Sequence, residues 1–509
     1  MSEASCREAN SPDNALIPAQ VSDFARMFSG NRANRIARNA VTSSDVLKAA
    51  RNPTTMRTYH DTYGISRKRT GQVTNQRQSG RCWLFATYNV ARAKTMELLD
   101  VDTFEFSQAY GMFYDKLEKA NAFLCNICQT ASLPTSDRTV SWLLDNPISD
   151  GGEFRFAANL IAKWGMVPKD AMPETACSKN SSQMNTQLER LLRHDAVILR
   201  KSAAQGADAD DLAVLRKEML EGVHRMLSVC LGEPPERFDF EVVIGKNAQV
   251  NTGVISEILD EEQASSEHSD APAVSEQTNS SSADCDCTDK SRRLLRDAAI
   301  TPQEFCDRYV QFDPTNYVEL ISVPGDEHPF NHLFGIPLMD TVMGGDRWRF
   351  LNVDVTVVEQ AAIASLKAGV PCYMACDVMQ QFGRHLEDFP GVLACDTMDF
   401  EGLFDVDLSM TRAEMFDSHE TSFTHAMTFQ GVELNGDASP RAWRVENSWG
   451  KDACKDGYLI MSADWFRTYG ANVVVERRFV DEATLKLWDT LPIEDVAPWS
   501  GLGGAFSQK

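Results

Sequence analysis

The residues around Cys82 are typical of a reactive thiol rather than a structural one. They read NQRQSGRCWLFA, residues 75–86, with Gln76 six positions before the cysteine and Trp83 directly after it. A thiolate is the nucleophilic form of cysteine, and the positive end of a helix dipole favours it. Pairing with an imidazolium can lower a cysteine pKa to roughly 3–4. We therefore predict that Cys82 opens a helix and is a nucleophile with a lowered pKa.

Gln76 and Gly80 suit the same chemistry. The side-chain N–H of Gln76 and the backbone N–H of Cys82 can donate to a developing oxyanion. Losing one donor of this kind typically lowers kcat by about 10²–10³-fold. Gly80 allows a close backbone approach at the turn before the cysteine. The stretch thus predicts an oxyanion site beside the thiol.

A cysteine nucleophile needs a base, and His425 has the best setting among the nine histidines. It lies in the apolar, strand-like run FTHAMTFQGV, whereas His385 and His419 lie in acidic segments typical of exposed loops. Asn447, in RVENSWG, follows His425 by 22 residues, which is enough for a strand, a turn and a return strand. Its side-chain oxygen can accept from the imidazole and fix the ring. Trp449 would then shield that hydrogen bond from water.

Helical patterning precedes strand-like patterning along the chain. A mostly buried helix is predicted from Trp83 to about Leu99, because apolar residues recur there at helical spacing. Further amphipathic helices are predicted at residues 107–131, 186–200 and 209–232. Strand-like runs follow at residues 348–358, 370–378, 425–434, 442–450, 457–462 and 472–479. This order indicates an α+β protein with two lobes.

Acidic residues are concentrated in one segment. The net charge is −23, and residues 247–289 contain ten Asp or Glu and no Lys or Arg. From residue 259 the segment also has almost no bulky apolar side chain, so it cannot bury enough surface to offset its ordering entropy. We predict an acidic, low-complexity insert at residues 247–292 and a disordered tail at residues 1–15.

The composition argues against several classes of protein. An acidic chain does not suit nucleic acid, which requires a basic surface. No apolar stretch approaches the roughly 18 residues of a membrane helix, and the start lacks a secretory pattern. Thirteen cysteines without a framework pattern favour free thiols in a reducing cytoplasm. The CNIC motif at residues 125–128 has no second ligand pair, so neither a metal nor a cofactor is predicted.

The order Gln76, Cys82, His425, Asn447 resembles the papain-type cysteine peptidases, with SGRCWLFA in place of the usual CGSCW. His425 lies 343 residues beyond Cys82, against about 130–150 in papain-like enzymes. With these two departures, the sequence resembles the bleomycin hydrolase and aminopeptidase C family, a papain-fold branch enlarged by insertions. The likeness extends over most of the chain and includes NRIARNAVTSSDV, KANAF, GMVPKDAMPE, LGEPPERFDFE, TPQEF, THAM and VENSWG.

This resemblance implies a papain-like, two-lobed α+β fold with large insertions, assembled as a homohexameric ring. Residues 16–246 would hold the nucleophile and the helical lobe with its insertions. Residues 293–490 would form a β-rich lobe that supplies the histidine and the asparagine. Residues 491–509 would form a C-terminal arm that reaches the active-site cleft.

The resemblance also implies a role for each site residue. These are Cys82 as nucleophile, His425 as general base and acid, Asn447 as the orienting residue and Gln76 as oxyanion donor, supported by Trp83 and Trp449. The terminal carboxylate, here on Lys509, would receive the α-ammonium of a peptide substrate, which selects for free N-termini. The tail is two or three residues longer than is usual in the family, which leaves open whether it is trimmed.

The predicted function is therefore a cysteine aminopeptidase that acts on peptides through a thiolate acyl-enzyme. Hydrolysis of peptide-like drug amides or thiolactones is an expected side activity of a bleomycin hydrolase-like site. The alternative is a catalytically silent ring-forming scaffold or partner-binding protein, against which the four intact site residues argue. Acyl transfer by the same nucleophile would need an acceptor amine that outcompetes water.

Overall fold

Helices form most of the first half of the protein. The computed structural model describes residues 14–257, 293–383, 386 and 391–506. The helices before residue 232 are α1 (Pro18–Gly30), α2 (Arg32–Ser43), α3 (Val46–Ala50), α4 (Pro53–Met56), α5 (Cys82–Leu99), α6 (Gln108–Gln129), α7 (Arg138–Asp145), α8 (Phe154–Trp164), α9 (Ala176–Lys179), α10 (Ser182–Ala204) and α11 (Ala209–Leu231). The helices predicted at residues 83–99, 107–131, 186–200 and 209–232 are confirmed.

A large mixed sheet forms the core of the second half. Its strands are β1 (Ile65–Ser66), β5 (Tyr317–Ile321), β6 (His332–Gly335), β7 (Phe350–Asn352), β8 (Cys372–Cys376), β9 (Val392–Leu393), β10 (His425–Leu434), β11 (Pro440–Glu446), β12 (Tyr458–Ser462), β13 (Asn472–Glu476) and β14 (Ile493–Asp495). They lie in the order β14-β6-β7-β5-β13-β8-β10-β11-β12-β9, and β1 pairs with β10. Strands β8 and β11 flank β10 and are antiparallel to it. The α+β class is confirmed.

Short helices surround this sheet. They are α12 (Pro302–Phe305), α13 (Val355–Lys367), α14 (Phe400–Phe404), α15 (Arg412–Asp417), α16 (Ala463–Tyr469), α17 (Glu482–Thr490) and α18 (Gly501–Gly504). Helix α13 corrects the strand predicted at residues 348–358, because β7 ends at Asn352. The carboxylate of Asp354 caps α13 by accepting from the Thr356 N–H at 2.9 Å. An N-cap of this kind outweighs the strand preference of the valines that follow.

Helix α5 lies at the junction of the helical and β-rich parts. All of its residues except Lys94 and Glu97 are buried, so it is apolar on nearly every face. One face packs on β10, where the Thr428 hydroxyl donates to the Ala86 carbonyl at 3.3 Å. A helix buried all round is fixed by several neighbours at once. Its first residue, Cys82, is therefore held rigidly against the sheet.

Helices α6, α10 and α11 pack together as a separate helical core. Buried side chains from all three meet there, among them Phe113, Leu188 and Leu227. The neighbouring helix α9 is a short turn that contacts both α10 and α11. Through α9, this helical core supports the loop that precedes α5, where the Gln78 N–H donates to the Lys179 carbonyl.

A second sheet, of three strands, is formed by residues on both sides of the acidic segment. It consists of β2 (Phe238–Ile244), β3 (Val254–Glu257) and β4 (Arg293–Ile300), in the order β2-β4-β3. Strand β3 lies inside the segment predicted as insert, and β4 pairs with β2 rather than with the large sheet. Residues 258–292 and 1–13 lie outside the described residues. Ordered backbone therefore continues to Glu257, and the limits of the insert stay a prediction.

A buried ion pair joins α5 to the sheet. Arg92, 2% exposed, bonds with the carboxylate of Glu446, which is fully buried at the end of β11. The same guanidinium donates to the carbonyls of Gln72 and Thr70 at 2.8 and 2.9 Å. The second Glu446 oxygen accepts from Gln430 at 2.6 Å. Because both charges are dehydrated, each depends on the other for compensation.

Replacing Arg92 with methionine should destabilise the protein by about 3–5 kcal/mol, since it leaves the Glu446 carboxylate buried without its cation. Chemical denaturation followed by circular dichroism measures this change. Arg478→Met is the matched control, because Arg478 is 61% exposed beside Glu476 and a surface pair contributes at most about 1 kcal/mol. Equal losses in the two variants would contradict the assignment of Arg92 as a structural link.

Candidate active site

The Cys82 side chain is buried at the first position of α5. It is 4% exposed. The preceding residue, Arg81, leaves the helical conformation with φ −87° and ψ 18°. Its carbonyl accepts from the Leu84 and Phe85 N–H groups at 3.0 and 3.1 Å. The first backbone N–H groups of the helix, those of Cys82 and Trp83, are directed at the thiol.

His425 and Asn447 meet where two neighbouring strands end. His425 is the first residue of β10, and Asn447 follows the last residue of β11, so the antiparallel pairing brings them together. The His425 Nε2 lies 2.8 Å from the Asn447 Oδ1, and both side chains are buried. The same amide oxygen accepts from the Ser448 N–H at 2.7 Å. An amide oxygen is an acceptor, so Nε2 carries the proton and Nδ1 is left as the acceptor.

The Trp449 ring packs on the imidazole of His425. Its ring lies 5.0 Å from the His425 ring, centroid to centroid, at an interplanar angle of 30°. The Phe382 ring also packs on the Trp449 ring, with 5.7 Å between the ring centroids. The two aromatic rings therefore keep water from the bond between the imidazole and Asn447.

The thiol and the imidazole approach each other across the junction of α5 and β10. Cys82 packs in the same buried cluster as Ala426, the residue after His425. In the sheet, Ala426 lies opposite Ala375 of β8, and His425 lies opposite Cys376. The structure thus brings together Cys82, His425 and Asn447, although 343 residues separate the first two.

The prediction of a lowered pKa for Cys82 is wrong for this structure. Burial raises the pKa of the thiol to about 11, and the Glu153 carboxyl raises it further, whereas the Ala426 N–H lowers it. Dehydration of the sulfur thus outweighs the backbone N–H groups at the start of α5. A base that accepts the thiol proton would therefore assist attack by the sulfur.

Gln76 is anchored to the segment that carries Asn447. Its backbone N–H donates to the Ser448 carbonyl at 2.8 Å, and its side-chain oxygen accepts from the Ser448 hydroxyl at 2.5 Å. One N–H of its amide donates to the Ser79 carbonyl at 2.7 Å. The amide orientation is therefore fixed from both sides, with its NH₂ group towards the turn that leads to Cys82.

Arg81 has a structural role that sequence reasoning missed. Its guanidinium, 2% exposed, bonds in a bidentate manner with the Glu174 carboxylate at 2.9 and 3.0 Å. It also donates to the Ser178 carbonyl at 2.7 Å and to the Ser79 hydroxyl at 2.9 Å. Residues 75–81, termed here the Cys82 loop, are thereby tied to the segment around α9. The feature of the sequence that could have indicated this role is the arginine directly before Cys82.

Asp150 fixes the other side of the Cys82 loop. Its carboxylate accepts from the Gly80 N–H at 3.0 Å and pairs with Lys116 at 2.6 Å. Burial alone would raise the pKa of Asp150, but Lys116 and its hydrogen bonds hold that pKa well below its usual range. The Asp150 carbonyl accepts from the Trp83 indole at 2.7 Å.

Gly152 lies flat against the Trp83 ring. A Cβ at this position would come within 2.6 Å of an indole carbon, so only glycine fits. The glycine also lines a cavity of about 130 Å³, together with Glu153, Phe156 and Phe506. Trp83 therefore supports the cavity wall next to the nucleophile's helix.

The C-terminal segment passes beside the site. Phe506 is buried, with its ring 4.9 Å from that of Trp348, 4.6 Å from that of Phe350 and 5.1 Å from that of Phe423. The Ala505 carbonyl accepts from the Phe423 N–H at 2.6 Å, two residues before the imidazole. The predicted anchoring residue Lys509 lies outside the described residues.

Neither a metal cluster nor a membrane span is found in the described part of the chain. No group of three or more His, Cys, Asp or Glu side chains is placed there to hold an ion. Cys125 and Cys128 of the CNIC motif lie on α6 as free thiols. No helix between residue 14 and residue 506, among those described, is long and apolar enough to cross a bilayer.

Comparison with known proteins gives matches along nearly the whole chain. A family model described as the Peptidase C1-like family matches residues 15–257 and 273–503. Aminopeptidase C of Listeria monocytogenes is 33% identical over 485 residues, covering 95% of this chain and 97% of that protein. Aminopeptidase E of Lactobacillus helveticus is 34% identical over 491 residues, covering 96% and 99%.

A solved structure is similar over the same extent. The crystal structure of PepW from Lactobacillus rhamnosis superposes with a TM-score of 0.82 at 31% identity, covering 96% of this chain and 99% of that one. The residues that the family model leaves out, 258–272, fall within the acidic segment. The chain therefore belongs to the Peptidase C1-like family, as a cysteine peptidase with a papain-like fold.

Proposed function

We propose that the protein is a cysteine aminopeptidase in which Cys82 is the nucleophile, His425 the base and Asn447 the residue that orients it. One observation supports this above others: Cys82 packs in one buried cluster with the residue next to His425, whose ring is held by Asn447 at 2.8 Å. This is the nucleophile, base and orienting group of a catalytic triad. The aminopeptidase relatives that match nearly the full length support the same reaction.

The raised pKa of Cys82 determines how the reaction starts. With Nε2–H donated to Asn447, the Nδ1 of His425 takes the thiol proton as the sulfur attacks the peptide carbonyl carbon. The carbonyl oxygen gains a negative charge, which the Cys82 N–H and the Gln76 amide stabilise. The imidazolium then protonates the leaving amine, and a thioester remains on the sulfur.

Hydrolysis of the thioester completes the cycle. His425 takes a proton from water, and the resulting hydroxide attacks the acyl carbon. The carbon–sulfur bond breaks, the released acid keeps the hydroxyl, and the proton returns to the sulfur. Peptide-like drug amides and thiolactones carry the same electrophilic carbon, so we expect both as side substrates of a bleomycin hydrolase-like site.

The C-terminal segment would restrict this chemistry to N-terminal residues. Phe506 is anchored beside the strand that begins at His425 and lines the cavity with Gly152. On the family resemblance, we propose that a terminal carboxylate, predicted on Lys509, reaches that cavity. A carboxylate there pairs with the α-ammonium of a peptide and excludes any residue preceding it.

A homohexameric ring is proposed on the resemblance, and the N-terminal helices supply a surface for it. Helix α1 buries none of its residues and exposes Phe24 at 58% and Met27 at 75%. Ile36 of α2 adds a side chain that is 56% exposed. Large apolar groups exposed together mark a contact surface, for which a second copy of the chain is the proposed occupant.

Cys82→Ala should reduce peptidase turnover to background while leaving the fold intact, because it removes only the sulfur. Release of a fluorophore from amino-acid amides measures turnover, and circular dichroism with thermal melting checks the fold. Cys125→Ala is the matched control and should retain full activity, since Cys125 lies on α6 away from the site. Turnover by a purified Cys82→Ala protein would refute the assignment.

Deleting residues 507–509 should lower aminopeptidase kcat/KM and allow cleavage of N-acetylated peptides, because the terminal carboxylate moves away from the substrate amine. Lys509→Ala keeps the chain length and the carboxylate, and should behave like the wild type. The intact mass of each protein must first establish where its chain ends. If N-acetylated substrates are refused equally by both variants, the carboxylate does not select the N-terminus.

Introducing Glu at Phe24 and Met27 together should convert the proposed hexamer into smaller species, because it places charge on the contact surface. Size-exclusion chromatography with light scattering measures the mass of the assembly. Val229→Glu is the control, since Val229 is 83% exposed but lies apart on α11. A mass of one chain for the wild type would exclude the ring.

A further inference from the structure

Two thiols meet behind the Cys82 loop. Helix α9, which carries Cys177, packs against α11, whose penultimate residue is Cys230, and the Cys177 thiol is near enough to raise the pKa of Cys230. The Thr175 hydroxyl, which caps α9, donates to the Cys230 carbonyl at 3.0 Å, so the start of α9 is bonded to the end of α11. Both cysteines are free and partly exposed, so a small oxidant can reach them.

The segment that carries Cys177 holds the Cys82 loop in place. Glu174 and Ser178 supply the bonds to Arg81 described above, and the Ser178 hydroxyl donates to Glu174 at 2.7 Å. The Gln78 N–H donates to the Lys179 carbonyl at 2.9 Å. A displacement of α9 is therefore transmitted to the residue directly before Cys82.

We propose that Cys177 and Cys230 are a reversible oxidation site, at which a disulfide joins α9 to α11 and loosens the hold of Glu174 and Ser178 on Arg81. The oxidant is a peroxide. The disulfide does not depend on the catalytic assignment, whereas its effect on turnover rests on the proposed function.

The reaction balances with one peroxide per disulfide. The thiolate of one cysteine attacks a peroxide oxygen, the O–O bond breaks, and a sulfenic acid and one water result. The second thiol attacks the sulfenic sulfur, the S–S bond forms, and the hydroxyl leaves as a second water. Two electrons pass from the two sulfurs to the peroxide. A dithiol reductant reverses the product by thiol–disulfide exchange.

Closing the bond requires movement on the side of α9. A disulfide holds its sulfurs at about 2.05 Å, closer than any hydrogen-bonded pair. Helix α11 has 23 residues and buries Val223 and Leu227 in the helical core, whereas α9 is a single turn of four residues. The short turn therefore moves, and Glu174 and Ser178 shift relative to Arg81.

The environment of the pair sets the conditions for oxidation. Burial raises the pKa of Cys230, and the neighbouring Cys177 raises it further. The Cys230 thiol is therefore harder to ionise than a free cysteine, and the thiolate needed for attack increases with pH. Disulfide formation should accelerate from pH 7 to pH 9 at constant peroxide.

The bond itself is tested in full-length Cys82→Ala protein, which lacks the reactive active-site thiol. The protein is treated with hydrogen peroxide, alkylated, digested and analysed by mass spectrometry without reduction. We expect one linked peptide pair, Cys177–Cys230, that disappears with dithiothreitol and is absent from Cys82→Ala/Cys177→Ser. Cys82→Ala/Cys125→Ser is the control that should retain it. If both cysteines stay alkylatable, or oxidise separately to sulfinic acids, the site is refuted.

The effect on the Cys82 loop is tested by comparing wild type with Cys177→Ser, both with Cys82 intact. After equal mild oxidation, direct oxidation of Cys82 affects both proteins alike. We expect kcat of the wild type to fall further, by up to about 10²-fold, the size that a 1 Å misplacement can produce. KM should change little. A disulfide in the wild type with equal kcat in both proteins would refute the link to Arg81, whereas no activity before oxidation would refute the proposed function instead.

Discussion

The packing of α5 against β10 is the contact on which the site depends. It brings the sulfur of Cys82 to the backbone next to His425, from a chain separation of 343 residues. Neither side can move without losing that approach, so the interface must be rigid. The Arg92–Glu446 pair supplies this rigidity, because Glu446 ends the strand that leads directly into Asn447. This buried ion pair thus couples the position of α5 to that of the Asn447 side chain.

Burial of the thiol determines what the rest of the site must do. Because dehydration raises the pKa of Cys82 to about 11, the start of the helix does not by itself supply a thiolate. A base held in one tautomer becomes necessary, and the 2.8 Å bond from Nε2 to Asn447 holds it. Trp449 then excludes water from that bond. In the proposed reaction, the thiol proton therefore passes to the imidazole inside a buried site.

The sequence allowed prediction of the elements with strong local signals and of the residues with distinctive neighbours. The buried helix that starts at Cys82 and the strand that starts at His425 were both evident, because each contains a run rich in apolar residues. The strand predicted at residues 348–358 was wrong around Val355. The cap from Asp354 and burial on a helix face outweighed the preference of valine for strands there. The raised pKa of Cys82 could not be predicted, because it depends on surroundings contributed by distant segments.

The contacts of Arg81 show how the segment around α9 and the helices behind it support the site. Before the structure, the arginine was only a departure from the usual papain-type motif. In the structure its guanidinium needs a carboxylate, because an isolated buried cation is strongly unfavourable. Glu174 supplies that carboxylate from the segment next to α9, and α9 rests on α10 and α11. The segment before α9 therefore provides the counter-charge that lets an arginine occupy the position before the cysteine. The arginine and this segment depend on each other.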